Sequence, residues 1–338
     1  MVRKANLNLK NYDIIVSNKL TSYFYIKEGE KMIYITGDTH RDFSRLCNLD
    51  KKDDDVLIIL GDAGINYYLD ERDIELKEYL SKFKFKLFCI QGNHEERPEN
   101  IKNYKEVDMF GGKVFIEEKF PNLIFAKNGE LYNLGDKRIL VIGGGYSVDK
   151  FYRLSNGHQW FENEQLTSKE MDYILNKYKE QHVDIILSHT CPYKYEPTEV
   201  FLKGIEQSKI DKTMEHFLDE VEKNIDYDKW YCGHYHTEKK IDKLEFMFGR
   251  IKIFNKDEFV PKYNRNGYEI IRDYCSQNDV NSDGKIICPK CNSNDIIIQK
   301  GDGHFIYGID EIAIICNKCK KVYGFNDVKY SPNCPKEL

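Results

Sequence analysis

The chain has 338 residues, 41% of them hydrophobic and 32% charged, with a net charge of -5. That size and composition predict a large folded core with a small appended module and exclude wholesale disorder. The slight acidity gives no general attraction to a nucleic-acid backbone or an anionic membrane, and the apolar runs, such as Val56 to Leu60, fall far short of the ~18 residues of a membrane span, so no membrane partner is expected.

In chain order, residues 1–31 form an N-terminal extension without regular pattern, and strand character begins at Met32 to Thr36. Short β-rich runs then alternate with helix-length segments: Val56 to Leu60, a helix over Asp70 to Lys82, a strand over Lys86 to Gln91 and a helix over Pro98 to Lys105. Closely spaced strands with Asn-Gly and Gly-Asp turns follow from Leu123 to Gly143, then a helix from about Glu164 to Lys179 and a strand from Val183 to Ser188. Strands near Lys229 to Cys232 and Glu238 to Phe254 complete a core over 32–260, an α/β rhythm. Residues 261–284 are irregular and polar and read as a linker, and 285–338 form the appended module. No secretory segment opens the sequence, and the ten cysteines include two C-x-x-C pairs with the others dispersed, which together point to a reducing, cytoplasmic setting.

Five motifs each follow a predicted strand, where α/β sheets present loops to ligands. They are Gly37-Asp38-Thr39-His40, Gly61-Asp62-Ala63-Gly64, Gly92-Asn93-His94-Glu95, Ser188-His189-Thr190 and Gly233-His234-Tyr235-His236. Singly, each is more readily a polar loop than a metal site; in this order and context they offer a mixed carboxylate, amide and imidazole set suited to Mn, Fe or Zn. The glycines before four of them allow a sharp turn and close backbone approach to whatever is bound.

The order Asp-x-His, Gly-Asp, Gly-Asn-His-Glu, a later His and Gly-His-x-His resembles that of the calcineurin-like metallophosphoesterases, over about residues 32 to 255. The resemblance implies a four-layer α/β/β/α sandwich with a dinuclear site at the strand ends. It assigns Asp38, His40 and His236 to one metal, Asn93, His189 and His234 to the other, and Asp62 as the bridge. Two divalent ions (Mn, Fe or Zn) about 3.5–4 Å apart would share a hydroxide for in-line attack on a phosphomonoester or phosphodiester. His94 would then protonate the leaving oxygen or stabilise the transition state.

One departure bears on the substrate. In the Ser/Thr protein phosphatases of that superfamily the Gly-Asp motif runs on to an Asp and an Arg that orient the His and grip phosphate, whereas this chain has Gly64-Ile65-Asn66. His94 is left without an obvious orienting carboxylate, Glu95 being either a stand-in or a residue that faces solvent. The loop Tyr146 to Arg153 is the candidate substrate segment, with Tyr146 and Arg153 as its contacts and Arg153 as either a phosphate fork or an ordinary ion pair. His158 and Trp160 lie just beyond it, the Trp read as packing.

In the appended module, Cys288-Pro-Lys-Cys291 and Cys316-Asn-Lys-Cys319 form two knuckles with 24 residues between them. Four thiolates so arranged fit one structural zinc in a zinc-ribbon-like module, which would stabilise a segment too small for its own core. From Lys262 onward 11 Lys and Arg face 10 Asp and Glu, so no basic stripe marks a nucleic-acid surface; a protein or nucleic-acid contact through the ribbon is an open expectation. The leading reading is a metal-dependent phosphoesterase. Its rivals are a nuclease or a Ser/Thr protein phosphatase within enzymes, and a non-catalytic scaffold outside them, the latter disfavoured by the complete ligand set.

Overall fold

The computed structural model describes residues 12–15, 24–27, 31–43, 45–46, 49, 54–83, 85–202, 204–260, 291, 293, 295–300, 312–320 and 322–324. Within the N-terminal extension, β1 (Tyr12–Ile15) and β2 (Phe24–Lys27) pair antiparallel. The core starts at β3 (Ile33–Thr36), which lies parallel to β4 (Val56–Ile59); β4 lies parallel to β5 (Lys86–Cys89). Together with β6 (Tyr104–Met109), β7 (Gly112–Glu117), β8 (Leu123–Ala126) and β15 (Lys252–Ile253) they form a seven-stranded sheet in the order β15-β3-β4-β5-β8-β7-β6. A six-stranded sheet holds β9 (Leu131–Leu134), β10 (Lys137–Ile142), β11 (His182–Ser188), β12 (Asp226–Cys232), β13 (Lys239–Ile241) and β14 (Leu244–Phe246) in the order β13-β14-β12-β11-β10-β9.

The apolar runs explain how the sheets stack. Side chains alternate faces along a strand, so Val56 and Ile58 of β4 join one cluster while Leu57 and Ile59 join another, and Ile139 and Val141 of β10 separate likewise from Leu140 and Ile142. The cluster containing Ile58 and Val141 draws on both sheets and so lies between them. The outer face of the seven-stranded sheet packs on α1 (Glu71–Leu80) through Leu76 and Leu80. That of the six-stranded sheet packs on α3 (Ser168–Tyr178) and α4 (Thr213–Asn224) through Ile174, Leu218 and Val221. Strands buried on both faces need unbroken apolar sequence, and each fully buried aliphatic side chain contributes about 1.5–3 kcal/mol. The result is the four-layer α/β/β/α sandwich. Helix starts follow their local chemistry: Asp70 accepts from Arg72 N at the start of α1, and Thr167 with Glu170 forms a capping box on α3.

Three elements differ from expectation. The helix expected over Pro98 to Lys105 is a single 3-10 turn, Pro98–Asn100, leading into the β6–β7 hairpin. Phe110 and Gly111 both have positive φ (55° and 84°), the geometry of a tight hairpin turn, and the alternate residues Val107 and Met109 pack towards the inter-sheet core, so period two prevails over period 3.6. The helices α4 and the short α2 (Lys150–Ser155) were not anticipated; α2 follows a glycine run and buries only Arg153.

The linker 261–284 lies outside the described residues. In the appended module β16 (Ile296–Lys300), β17 (Ile312–Cys316) and β18 (Val322–Gly324) form a three-stranded antiparallel sheet. Among the described residues no helix is long and apolar enough to cross a membrane.

Candidate metal centre and active site

All five motifs leave the carboxyl ends of parallel strands: β3, β4 and β5 in one sheet, β11 and β12 in the other. The sheets face each other, so these ends converge on one cleft, and a sixth segment, Gly143 to Ser147 after β10, joins them. Four of the expected ligands, His40, Asp62, His234 and His236, have positive φ of 44–65°. Backbone conformations that cost about 1 kcal/mol or more persist where the surroundings enforce them, as at functional sites. Three of the motif glycines, Gly61, Gly92 and Gly233, make room for expected ligands, while Gly37 makes room for the backbone at Met247. A Cβ on Gly61 (φ +91°) would lie 2.1 Å from His189 Nδ1, and one on Gly92 would lie 2.0 Å from Asp62 Oδ1.

Asp38, His40 and His236 form one cluster. His40 Nε2 and His236 Nε2 are 2.8 Å apart, and Asp38 Oδ2 lies 3.6 Å and 3.3 Å from them. Asp38 Oδ1 accepts from His234 N at 2.9 Å, tying the cluster to the neighbouring motif. Burial raises the Asp38 carboxyl, but the His236 hydrogen bond and the surrounding imidazoles outweigh it and hold the carboxyl far below the ordinary range. Burial, opposed by Asp38 and aided by His236, lowers His40 to about 4, leaving a neutral nitrogen donor at neutral pH.

Asn93, His189 and His234 form the second cluster. Asn93 Oδ1 is 2.8 Å from His189 Nε2 and 3.0 Å from His234 Nδ1, and those two nitrogens are 3.3 Å apart. Asp62 sits between the groups, Oδ2 3.9 Å from His40 Nδ1 and Oδ1 3.6 Å from His189 Nε2. Burial first, then the neighbouring His189, hold His234 well below its usual value.

The hydrogen bonds around this second cluster test whether it suits a cation. His189 Nδ1 lies 2.8 Å from Leu60 O, and a carbonyl only accepts, so Nδ1 carries the proton and a neutral Nε2 presents a lone pair. Glu164 Oε2 accepts from Ser147 Oγ, which in turn accepts from Asn93 Nδ2 at 2.9 Å, so Asn93 presents its carbonyl oxygen to the site. Two acceptors, Oδ1 and Nε2, therefore face each other at 2.8 Å. Such a pair repels unless a cation lies against both, and an imidazole fixed by a backbone carbonyl is the usual support of a metal-ligating His. The residues fit a bound metal.

His94 lies at the rim. Its backbone N donates to Asp62 Oδ1 at 2.8 Å, and its Nδ1 is 2.8 Å from Arg153 Nη2. Burial, opposed by Asp62 and reinforced by Arg153, lowers it to about 3. Glu95, expected as a stand-in orienting carboxylate, instead points away: it is buried, accepts from Gly92 N, and is raised to about 8 by burial and by Asp62. The carboxylate beside the outer ring nitrogen of His94 belongs to Asp149, at 3.9 Å from Nε2.

Of the substrate candidates, Arg153 reaches the site at His94 and Tyr146 is buried, with no hydrogen bond to the expected ligands among the described residues. Gly145, one residue earlier, comes within 3.2 Å (as a Cβ) of the His189 ring, so part of that glycine run does make room at the centre. His158 is exposed beside Tyr152, and Trp160 carries Lys150 over its ring at 3.9 Å. Ser147, Asp149, Glu164 and Tyr67 were not singled out from the sequence. The spacing of Asp149 and Arg153 on one short helix was the available signal; Glu164 had none. In the module, Cys291, Cys316 and Cys319 converge, with Cys291 Sγ 3.5 Å from Cys316 Sγ. Cys288 lies outside the described residues. The dispersed Cys89, Cys191 and Cys232 are buried free thiols, as small hydrophobes are.

A family model for the calcineurin-like phosphoesterases matches residues 31–238. No curated protein sequence matches the chain. Among solved structures, phosphopantetheinyl hydrolase from Mycobacterium tuberculosis is similar over 65% of this chain and 88% of that one, at 11% identity and a TM-score of 0.35, too low a likeness to bear on this chain's substrate. Family model and fold agree: the chain belongs to the calcineurin-like phosphoesterase family and is a metal-dependent phosphoric ester hydrolase.

Proposed function

We propose that the chain hydrolyses phosphomonoesters or phosphodiesters at a two-metal centre, with Asp38, His40 and His236 on one ion, Asn93, His189 and His234 on the other, and Asp62 shared between them. The observation that supports this reading is the placement of Asp62, whose two oxygens face His40 on one side and His189 on the other. Bound divalent ions supply charge to the phosphoryl oxygens and lower the pKa of the attacking water. The chain's own residues do the remainder. Leu60 O and Ser147 orient His189 and Asn93, and Asp62 Oδ1 anchors the His94 backbone so that its ring overhangs the cleft. His94 then contacts the transferring phosphoryl group or the leaving oxygen.

The test is a matched pair of aryl substrates, a monoester and a diester, on manganese-loaded full-length protein, with metal stoichiometry measured alongside. Two ions per catalytic core and a loss of turnover by orders of magnitude in Asp62→Asn and His94→Ala, with folding retained, are expected. One ion, or turnover untouched by Asp62→Asn, refutes the shared-ligand reading, and the ratio of the two rates assigns monoesterase or diesterase. For the module we propose one structural zinc on Cys288, Cys291, Cys316 and Cys319 and a recognition role towards a larger partner; an additional equivalent of zinc, lost in Cys316→Ser, is the expected signature.

A further inference from the structure

The continuation Asp-Arg that follows the Gly-Asp motif in the Ser/Thr protein phosphatases is missing here, yet an Asp and an Arg stand beside His94 all the same. They come from elsewhere in the chain. Arg153 is the one buried residue of α2, and Asp149 immediately precedes that helix, its side chain making no bond to the first-turn backbone. The guanidinium is held from several sides: Nε donates to both oxygens of Asp149 at 2.8 Å, Nη1 to the Tyr67 hydroxyl at 3.1 Å and to Gln159 O at 3.3 Å, and Nη2 reaches His94 Nδ1 at 2.8 Å. Tyr67 lies in the loop after Asp62, so the segment that departs from the phosphatase pattern now buttresses the arginine.

A guanidinium has N–H groups and no acceptor. At 2.8 Å from Nη2, His94 Nδ1 must accept, and the ring proton is then on Nε2. Adding a proton to Nδ1 would set N–H against N–H at that distance. Asp149 Oδ1 is 3.9 Å from Nε2, beyond hydrogen-bond range, so the pair does not consume this N–H. We propose that Asp149 and Arg153 are a positioning pair that, through the hydrogen bond from Nη2 to Nδ1, turns the His94 ring so that its Nε2–H is the donor presented to the phosphoryl group. This rests on the reading of the cleft as the hydrolytic site. Arg153 acts through His94 and does not grip phosphate.

Two measurements on the full chain test it. The first needs no turnover: nitrogen-15 NMR of the imidazoles in protein loaded with zinc, which is diamagnetic, with the His94 signals identified by their loss in His94→Gln. The expected result is a single neutral tautomer protonated on Nε2 in the parent and a tautomer mixture in Arg153→Ala. A parent ring protonated on Nδ1, or on both nitrogens near neutral pH, overturns the proposal, and this holds even if no ester is hydrolysed. The second is kinetic. Arg153→Ala and Asp149→Asn should lower kcat by ~10-fold or more with KM little changed, and the loss should vanish in a His94→Gln background, because residues acting through one another are not additive. A rise in KM at constant kcat, or a loss that adds fully to that of His94→Gln, makes Arg153 a phosphate contact and overturns the positioning role.

Discussion

Replacing Gly61 with Ala is the most direct test of how the second cluster is built. The new Cβ would lie 2.1 Å from His189 Nδ1 and 2.6 Å from Cγ, so the ring must withdraw by about 1 Å to reach ordinary contact. Withdrawal breaks the Nδ1–H hydrogen bond to Leu60 O, worth about 1 kcal/mol net. Gly61 also has φ +91°, which costs a non-glycine residue about 1–2 kcal/mol. The sum is a destabilisation of about 2–3 kcal/mol, readable in urea unfolding of the full chain. The larger effect is on chemistry, because a ligand misplaced by about 1 Å costs ~100-fold in rate. Gly204→Ala is the control: it has the same backbone strain (φ +89°) with nothing within 4 Å of the new Cβ, so it should lose only that strain term of about 1–2 kcal/mol and no activity. Equal stability losses in the two variants, or a Gly61→Ala protein with full turnover and full metal content, would refute the account of His189 as a ligand seated by the glycine.

Three other outcomes follow from the same structure. Ser147→Ala removes the acceptor that orients the Asn93 amide, so metal affinity measured by chelator competition should fall by ~10–100-fold while the melting temperature of the metal-free protein changes little. Glu215 is buried under Thr190, and burial, only partly offset by the Thr190 hydrogen bond, raises its carboxyl to about 7. Because the folded value lies above the unfolded 4.5, its stabilising contribution is full below about pH 4.5 and is lost as pH rises through about 7, a swing of at most about 3 kcal/mol that Glu215→Gln should flatten in unfolding curves at about pH 5 and pH 8. Val260 packs on the outer core of the seven-stranded sheet, so ending the chain after it should leave a folded core with unchanged turnover of small aryl esters; an unfolded product would contradict the division of the chain at that point.

The double sandwich was legible because its information is local. Strands buried on both faces demand runs such as Val56-Leu-Ile-Ile, and a ligand loop at the end of a strand demands Gly-Asp or Gly-Asn-His immediately after it. Where periodicity was ambiguous, as from Pro98 to Lys105, the deciding contact was distant: Tyr104 pairs with Glu117 across a hairpin and sets its ring edge-on to Phe125 at 5.4 Å. The residues of the two side-chain clusters could be collected from sequence order, but not their orientation, because that depends on a backbone carbonyl at Leu60 and on a Ser147–Glu164 relay that no motif contains.

The same reasoning explains why the surroundings of His94 were misread from the sequence. A motif search asks for an Asp and an Arg at a set distance after Asp62, and finding Gly64-Ile65-Asn66 it reports a loss. What the site needs is a hydrogen-bond partner of fixed polarity on one ring nitrogen, and that requirement is spatial. A helix of six residues docked through one guanidinium, held by Asp149 and braced by Tyr67, meets it from nearly sixty residues downstream of the histidine. It does so with a different consequence. A carboxylate bonded to the ring would accept an N–H, whereas the guanidinium donates one to Nδ1 and leaves Nε2–H as the ring's own donor. The polarity of that one hydrogen bond, and not the presence or absence of a motif, decides what His94 contributes to the reaction.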